Sequence, residues 1–588
     1  MQPSLADLEI LAVDCQATGA HSARGHLLEI GWARARALDL ENFAEFPVEA
    51  HLCQLTAEAE IPRPVSRLTG IAPDDLTAGK SYRDVWARLS RVAREVADAN
   101  QAVRCPTVIH FARFEAPFLR QLHELHAPRE AFPFTLICTH EIAQRLLPDL
   151  PRRGIRALAG YFGHSLPEYR RSGPHARATV LIWQQMVKRL KTTCGVHRLD
   201  QLFEWLGGMT PPSRSKDRKY PLHPSLRLNL PDAPGVYRMS RSNGDLLYIG
   251  KAGSLKRRVN SYFRGRGPQG EHTLEMLTQV RQLNVTQTGS AFEAALLESD
   301  EIKRYAPLYN VALRAGHRKI GFCSKDFQRY AFPADDQYCL GPLPSEKLWQ
   351  SLRGLAVWLS KGTQGLLRRE DACRSHTLLG LPPEYAPAAA CMVQGLAVFR
   401  QRHRLQLRHR SPLRVLTRLG AQLWREPPDP IAQDESARKG EDDLEEKRIP
   451  EAAPHWTPEN VAQRVENLIR HSAHMIRRAR WLCLLSEASI LWETPASADG
   501  RRILMIIAGG AVVHRQDWAI GKEPPVPPGH AQTFRSRRKT FDLMTYDRLR
   551  IATTELRRLV SEGRCIELRL GPRVRLRPPQ LEKVLRWV

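Results

Sequence analysis

One stretch decides the fold of the segment around it: Pro234-Gly-Val-Tyr-Arg-Met-Ser-Arg-Ser-Asn-Gly-Asp-Leu-Leu-Tyr-Ile-Gly-Lys251. Apolar and aromatic residues flank the Asn-Gly pair in its middle, and that dipeptide favours the two-residue turn of a β-hairpin. The sequence therefore predicts one strand through Tyr237 and a return strand through Tyr248. This pairing places the two tyrosines on neighbouring strands, with Lys251 at the strand end, where its side chain can project into a groove.

A helix is predicted to begin near Ser254, directly after this hairpin. Within it Arg258 and Tyr262 are four residues apart, and side chains with that spacing share one face of a helix. We therefore expect Arg258 and Tyr262 to address the same ligand.

A second helix is predicted from Ala291 to Tyr305, with Glu298 at the edge of its apolar stripe. That stripe consists of Phe292, Ala295, Leu296, Ser299 and Ile302. A carboxylate at the border of an apolar stripe can point into a shallow catalytic groove. Pro307 then ends the helix, and Asn310 offers a side-chain amide that could tie the following loop to the site.

These residue types suit the cleavage of a phosphodiester, which needs an activated water, compensation of phosphoryl charge and a stabilised leaving oxygen. Glu298 could hold a hard cation that keeps several of its waters, as Mg²⁺ prefers, so we expect Mg²⁺ or Mn²⁺ as the cofactor. Arg258 with Lys251 could neutralise the developing charge. A nearby cation favours the phenolate form of a tyrosine, so Tyr248 could deprotonate the attacking water.

The same motifs resemble the GIY-YIG nuclease domain of the excinuclease ABC C subunit and of its shorter relative, the Cho endonuclease. The matching segments occur in the family's order and spacing: Pro234–Tyr237, Tyr248–Ala252, Leu255–Arg258, Ser261–Phe263, Glu293–Glu298 and Tyr309–Asn310. The resemblance implies that Glu298 binds the metal and that the catalytic set is Tyr237, Tyr248, Lys251, Arg258, Tyr262 and Asn310.

Two other interpretations of this segment were weighed. A phosphate-binding loop between Gly244 and Lys251 is rejected, because five residues separate the glycines and Ala252 replaces the needed Ser or Thr. The tyrosines could instead be sheet aromatics of a DNA-binding module, although that interpretation leaves Glu298 and Arg258 without a role.

The composition of the whole chain points to a polyanionic partner. Its 588 residues carry a formal net charge of +26, with a pI near 10.0. DNA fits this charge better than a membrane, because the longest apolar run, 503–513, is far shorter than the roughly 20 residues that span a bilayer. An Arg-rich proteome is the alternative explanation.

The 11 cysteines include no C-x-x-C pair and no signal peptide is apparent, so we expect reduced thiols and a cytoplasmic protein.

The first 190 residues alternate short apolar strands with helical stretches, which is an α/β pattern. Ala12–Gly19 and Ile109–Glu115 resemble the first two motifs of the DnaQ-like (DEDDh) 3′-5′ exonucleases, which have an RNase H-like fold. The resemblance implies Asp14 and Glu115 as metal ligands and His175 as the catalytic histidine.

This second resemblance departs from its family at the metal site. Gln16 stands where the family has glutamate, Val180 where it has aspartate, and Glu115 replaces the usual aspartate. Two-metal catalysis depends on several carboxylates, so the site has either weak single-metal activity or a degraded role in binding DNA or a partner.

We therefore predict a multidomain α/β and α+β protein. Its segments are an RNase H-like exonuclease domain at 1–190, a linker at 191–228, the GIY-YIG α/β domain at 229–315, a helical basic region at 316–425, an acidic, proline-rich linker at 426–455 and a small C-terminal α/β domain at 456–588. The arginines between Arg400 and Arg418 could line duplex phosphates or simply form a solvated helix face.

The leading hypothesis is a DNA endonuclease that nicks one strand near damage. The resemblance to Cho implies loading by the UvrA and UvrB damage-recognition proteins, and one GIY-YIG site implies one incision. The rivals are a 3′-5′ exonuclease of the proofreading type, which Gln16 and Val180 count against, and an inert DNA-binding scaffold, which the complete GIY-YIG set counts against.

Overall fold

The chain divides into two compact units, Met1–Ala291 with Pro307–Asn310 and Phe292–Ala306 with Val311–Val588. A computed structural model of the protein describes residues 3–37, 46–55, 60–166, 170–208, 218–264, 270–310, 313, 319–332, 338, 340–367, 378–381, 386–404, 411–423, 455–493, 502–518, 541–571, 574–586 and 588.

The first unit opens with an α/β domain. Its elements are β1 (Ile10–Ala17), β2 (Leu27–Ala35), β3 (Glu49–Leu52), α1 (Arg63–Thr69), α2 (Pro73–Thr77), α3 (Tyr82–Ala99), β4 (Cys105–Ile109), α4 (Ala112–His126), β5 (Phe134–Cys138), α5 (Thr139–Leu146), α6 (Ile155–Tyr161), α7 (Ser172–Arg189) and α8 (Leu199–Gly208). The sheet order is β3-β2-β1-β4-β5, with β2 antiparallel and β4 parallel to β1. Hydrophobic clusters cover both faces, which explains why nearly every residue of the central strands β1, β2 and β4 is buried.

This domain extends beyond residue 190, into the segment expected to be a linker. Leu202 on α8 is fully buried, and Val196 before it is nearly so, in the same cluster as β1 and α7. Apolar contact with a distant core therefore orders a stretch whose local sequence suggested a connection.

The nuclease segment of this unit contains α9 (Pro224–Leu228), β6 (Gly235–Ser240), β7 (Leu246–Ala252), α10 (Leu255–Ser261), α11 (Glu271–Gln279) and β8 (Gln282–Gln287). Its antiparallel sheet has the order β7-β6-β8. The predicted hairpin is confirmed, but residues 241–245 connect its strands in place of a two-residue turn. Gly244 in this connection has a φ of 90°, which glycine adopts without strain. Strand β8 and helix α11 were not predicted.

Within the same unit, α11 packs against α6 of the N-terminal domain. A Cβ atom on Gly160 would lie 2.8 Å from Cγ of Gln279, so the helices touch where one has no side chain. The Oε1 atom of Gln279 accepts hydrogen bonds of 3.0 and 2.7 Å from Arg241, whose side chain is buried. Asn243 also donates to the carbonyl of Gly163.

The second unit has a helical core that includes a small sheet. Its elements are α12 (Ala291–Tyr305), β9 (Gly321–Cys323), β10 (Tyr330–Ala331), β11 (Leu340–Leu343), α13 (Glu346–Leu367), α14 (Ala389–Arg402), α15 (Pro412–Leu423) and α16 (Pro458–Leu485). The region at 316–425, expected to be helical, thus also holds strands in the order β10-β9-β11. Of the basic stretch, Arg408 and Arg410 lie outside the described residues, as does the acidic linker apart from residue 455.

The C-terminal part forms an antiparallel sheet of order β14-β13-β12-β15-β16 with two helices. The elements are β12 (Ala488–Glu493), β13 (Arg502–Ala508), β14 (Ala511–Trp518), α17 (Leu543–Ser561), β15 (Cys565–Leu570), β16 (Val574–Leu576) and α18 (Pro578–Leu585). Thr457 caps α16 by accepting a hydrogen bond from the backbone amide of Asn460. The apolar run at 503–513 is not one continuous strand but contains the turn of a hairpin, at Gly509 and Gly510.

Helix α16 links the two cores of this unit. Its first half, with Val461 and Ile469, packs among α13, α14 and α15, whereas Trp481 and Leu482 join the C-terminal sheet and α17. The boundary expected at 456 therefore falls at the start of a shared helix. Among the residues described, no helix is long and apolar enough to cross a membrane.

Candidate nuclease site

Three tyrosines meet beside the hairpin. Tyr237 on β6 and Tyr248 on β7 have ring centroids 6.1 Å apart, and the ring of Tyr262, just past the end of α10, lies 6.1 and 6.4 Å from them. The hydroxyl groups of Tyr237 and Tyr262 share a hydrogen bond of 2.9 Å. The structure thus brings together the three tyrosines that the motifs singled out.

Arg258 joins this cluster from α10. Helix α10 begins after Ser254 because the hydroxyl of Ser254 accepts a hydrogen bond from the backbone amide of Arg257. Arg258 donates from Nη2 to the hydroxyl of Tyr262 over 3.2 Å, and its guanidinium lies 4.9 Å from the centre of that ring. This contact agrees with the shared helical face that the spacing predicted, and the shared ligand stays a prediction.

Gly250 makes room for the tyrosines. In the hairpin register it lies opposite Tyr237. A Cβ atom at this position would lie 2.5 Å from Cζ of Tyr237 and 2.8 Å from Cε1 of Tyr248, closer than real side chains approach. Only glycine therefore allows both rings to lie over β7 as they do.

The environment of Tyr237 keeps its hydroxyl protonated. Burial raises the pKa of Tyr237 far above its usual value, and Tyr262 and Tyr248 raise it further, while Arg258 lowers it slightly. Tyr237 is therefore suited to hydrogen bonding and not to taking a proton from water.

Asn310 fixes the return strand from behind. Its buried amide donates to the carbonyl of Ile249 over 2.8 Å and accepts from the amide of the same residue over 2.9 Å. The hydroxyl of neighbouring Tyr309 donates to Glu275 on α11 and accepts from Gln279. Asn310 thus holds the residue next to Tyr248 in place.

Lys251 and Glu298 complete the predicted set. Lys251 is exposed at the end of β7, as expected. Glu298 lies half-buried on α12, which belongs to the second unit. A single carboxylate suits Mg²⁺, because that ion commonly takes one or two protein carboxylates and retains several waters.

The three residues predicted for the exonuclease-like site also lie together. Asp14 on β1, Glu115 on α4 and His175 on α7 are all buried. Asp14 accepts from the amide of Gln16 over 2.6 Å, and its other oxygen lies 3.3 Å from Nδ1 of His175. Oε2 of Glu115 has no hydrogen-bond partner, and burial, with a contribution from Asp14, raises the pKa of this carboxyl well above its usual value.

The packing of α7 explains how His175 reaches Asp14. A Cβ atom on Gly31 of β2 would lie 2.7 Å from the backbone of Ser172, so α7 crosses the sheet at a glycine. Val180 on the same helix is buried in the apolar core, where the resembling family has aspartate. In the described ranges, no group of three or more His, Cys, Asp or Glu side chains is arranged to hold a metal ion.

Two buried polar groups near this site were not singled out by their sequence. Burial lowers the pKa of His110 to about 3, helped by the proximity of His140 and His175, and its Nε2 has no hydrogen-bond partner. Glu29 on β2 binds Arg171 through two nitrogen atoms and accepts from the amide of Ser172. The only sequence signal for His110 was its place within the second exonuclease-like motif, Ile109–Glu115.

Comparison with protein families places the tyrosine cluster in a known domain. Residues 233–311 match the family model described as the UvrC-like GIY-YIG domain. The chain is 52% identical over 85 residues to the UvrABC system protein C of Xanthomonas campestris pv. campestris and to that of Xanthomonas oryzae pv. oryzae. This segment is 14% of this chain and spans 14% of the length of each relative.

Solved structures resemble two parts of the chain. The GIY-YIG endonuclease domain of UvrC from Thermotoga maritima, bound to magnesium, is 34% identical, with a TM-score of 0.14, over 15% of this chain and 100% of its own. E. coli exonuclease I in complex with a dT13 oligonucleotide is 17% identical, with a TM-score of 0.25, over 40% of this chain and 48% of its own. Overlaps this partial do not establish a fold.

The family match and the sequence identity fall on the segment whose tyrosines, arginine and asparagine form the cluster described above. The nuclease domain that the motifs predicted is thereby confirmed. Residues 233–311 match the UvrC-like GIY-YIG domain family.

Proposed function

We propose that this protein is a metal-dependent DNA endonuclease that makes a single-strand incision in nucleotide excision repair. The observation that carries the proposal is the cluster of Tyr237, Tyr248, Tyr262 and Arg258 inside the segment that matches the UvrC-like domain. An inert scaffold would have no need for an exposed arginine that bonds to one of three tyrosines in mutual ring contact.

In this proposal each residue has a distinct task. Glu298 would hold Mg²⁺, the cation bound to the Thermotoga domain, or Mn²⁺, and the bound cation would stabilise charge on the phosphate. Arg258 and Lys251 bind the phosphoryl oxygens, and Tyr248 accepts the proton of the attacking water. Tyr262 orients Arg258 through their hydrogen bond, Tyr237 orients Tyr262, and Asn310 positions the strand that bears Tyr248.

DNA is the proposed substrate, and the net charge of +26 favours its binding. Loading by UvrA and UvrB is proposed because the relatives are named as components of the UvrABC system. A cytoplasmic location follows from the same role. One GIY-YIG domain supports one incision.

For the N-terminal domain we propose an RNase H-like, DnaQ-like fold whose site binds DNA or a partner without two-metal catalysis. Gln16 donates to Asp14 where a second carboxylate would be needed, and Val180 is an apolar core residue. The second candidate function is a 3′-5′ exonuclease, which is favoured by the burial of Asp14, Glu115 and His175 in one place.

A nicking assay tests the proposal. Purified full-length protein is incubated with ultraviolet-damaged supercoiled plasmid, UvrA, UvrB and Mg²⁺, and Glu298→Gln is compared with Glu301→Gln, a control on the same helix outside the matched motifs. We expect nicking in wild type and Glu301→Gln only. Equal nicking by Glu298→Gln, or no nicking by wild type under any loading condition, would contradict the proposal.

The same proteins on 3′-end-labelled single strands test the second candidate. Release of nucleotides by wild type, lost in Asp14→Asn and kept in Glu298→Gln, would establish exonuclease activity. We expect no release.

A further inference from the structure

The helix that carries Glu298 is held by the C-terminal domain through a buried ion pair. Nζ of Lys303 on α12 lies 2.7 Å from Oδ2 of Asp547 on α17, and their side chains are only 6% and 2% exposed. The same ammonium group donates to the hydroxyl of Ser299 over 2.8 Å, and Ser299 is fully buried. One lysine thus ties two turns of α12 to a carboxylate on another element.

Two more ion pairs and an apolar anchor reinforce this attachment. Asp300 accepts hydrogen bonds of 2.9 and 2.7 Å from Nε and Nη2 of Arg548, the residue after Asp547. Glu293 lies 2.9 Å from Nε of Arg515 on β14. Phe292 is buried in the core formed by the C-terminal sheet and helices, and Leu296 packs against that core.

These anchors lie on the side of α12 away from Glu298. At 100° per residue, Phe292, Glu293, Leu296, Asp300 and Lys303 are rotated by about 120° to 220° from Glu298 around the helix axis. The C-terminal domain therefore binds the back of the helix. Glu298 itself is half-buried.

We propose that Asp547 and Arg548 are positioning residues for the metal site, and that the C-terminal domain serves to fix the orientation of Glu298. The inference rests on the proposed function, in which Glu298 holds the cation. A helix of 15 residues is marginal in isolation, so its direction depends on packing. A metal ligand must be held closely in place to bind well, and groups behind it commonly set its affinity.

The first experiment measures whether α12 depends on these contacts. Hydrogen exchange of the full-length protein is followed in Asp547→Asn and Arg548→Gln, with Glu555→Gln as the matched control. Glu555 lies on the same helix as Asp547 but pairs with Arg558. We expect amides of α12 to exchange about tenfold faster in Asp547→Asn than in the control, because Lys303 keeps a buried charge without its partner.

The second experiment measures binding of Mn²⁺ alone, from the electron paramagnetic resonance signal of the free ion. Asp547→Asn should weaken the site that Glu298→Gln removes by about tenfold or more, while Glu555→Gln leaves it unchanged. Combining Lys303→Met with Asp547→Leu replaces the buried pair by apolar side chains, and it should restore the affinity to within about threefold of wild type. A purely structural role would lower the melting temperature without changing this affinity.

The possible outcomes distinguish a failure of the positioning role from a failure of the proposed function. If Glu298→Gln binds Mn²⁺ as wild type does, the proposed function fails and this role for Asp547 fails with it. If Glu298→Gln loses the site but Asp547→Asn and Arg548→Gln retain full affinity, only the positioning role is overturned. Where Asp547→Asn does not fold, Arg548→Gln and the apolar double variant decide, since the Arg548 pair is about a quarter exposed.

Discussion

Replacing Gly250 by alanine should test whether the packing of the tyrosine cluster controls catalysis. The new methyl group would lie 2.5 Å from Cζ of Tyr237 and 2.8 Å from Cε1 of Tyr248. Neither ring ends in a flexible chain that could swing aside. Tyr237 is also buried and bonded to Tyr262, so relief requires moving the ring, the strand or both.

The size of the effect follows from these contacts. Inserting a methyl group into a packed site costs about 1–3 kcal/mol, and losing the Tyr237–Tyr262 hydrogen bond adds about 1 kcal/mol. If the tyrosine rings move out of their catalytic positions to relieve the overlap, the activation free energy of nicking rises by about 2–4 kcal/mol. At 1.36 kcal/mol for each tenfold change, nicking should slow by roughly 30- to 900-fold.

Gly253→Ala is the matched control, because a Cβ atom at Gly253 would meet nothing within 4 Å. Both variants are compared with wild type for the initial rate of plasmid nicking and for melting temperature. Gly250→Ala should be slow even when it is fully folded at the assay temperature. If Gly250→Ala nicks at a rate within about threefold of the Gly253→Ala rate, the slowing is far smaller than overpacking predicts. That result would refute the reasoning.

Three further results are expected. Tyr248→Phe should abolish nicking while Tyr237→Phe only slows it, by about tenfold for one lost hydrogen bond; equal rates in the two variants would remove the distinction between proton acceptor and orienting group. Because burial raises the pKa of Tyr237 above the value near 10 of an unfolded tyrosine, the stability from its neutral hydroxyl is present below about pH 10 and lost as the pH rises further. The melting temperature of Tyr237→Phe should therefore fall less than that of wild type between about pH 9 and pH 11, and parallel curves would contradict this. Gly160→Ala should displace Gln279 and lower the melting temperature, whereas Gly154→Ala, with nothing within 4 Å of its Cβ, should not; equal melting temperatures would show that the contact adds no stability.

The sequence predicted those parts of the site that depend on short-range geometry. The hairpin follows from its Asn-Gly turn, α10 from the cap at Ser254, and the Arg258–Tyr262 contact from a spacing of four residues. Each of these features depends on residues only a few positions apart, so the local sequence is sufficient to specify it. The family comparison confirmed the domain that these motifs predicted.

Features that depend on distant packing were not visible in the same way. Leu202 looked like part of a linker because its partners, in β1 and α7, are far away in sequence. The predicted apolar stripe of α12 included Phe292, yet the core that receives it comes mainly from residues beyond 480. The register of β8 against β6 likewise requires a partner strand, and the alternating sequence of β8 is too polar to reveal it.

The N-terminal domain is part of the structure of the nuclease hairpin and not merely a neighbour of it. The side chain of Gln279 packs directly against the backbone of Gly160, and Gln279 in turn donates a hydrogen bond to the hydroxyl of Tyr309. The next residue, Asn310, binds both backbone groups of Ile249, directly after Tyr248. Displacement of α6 would therefore disturb a continuous series of contacts that ends one residue from the proposed proton acceptor. The N-terminal domain would in this way have a physical role in the proposed catalysis, independent of any activity of its own site.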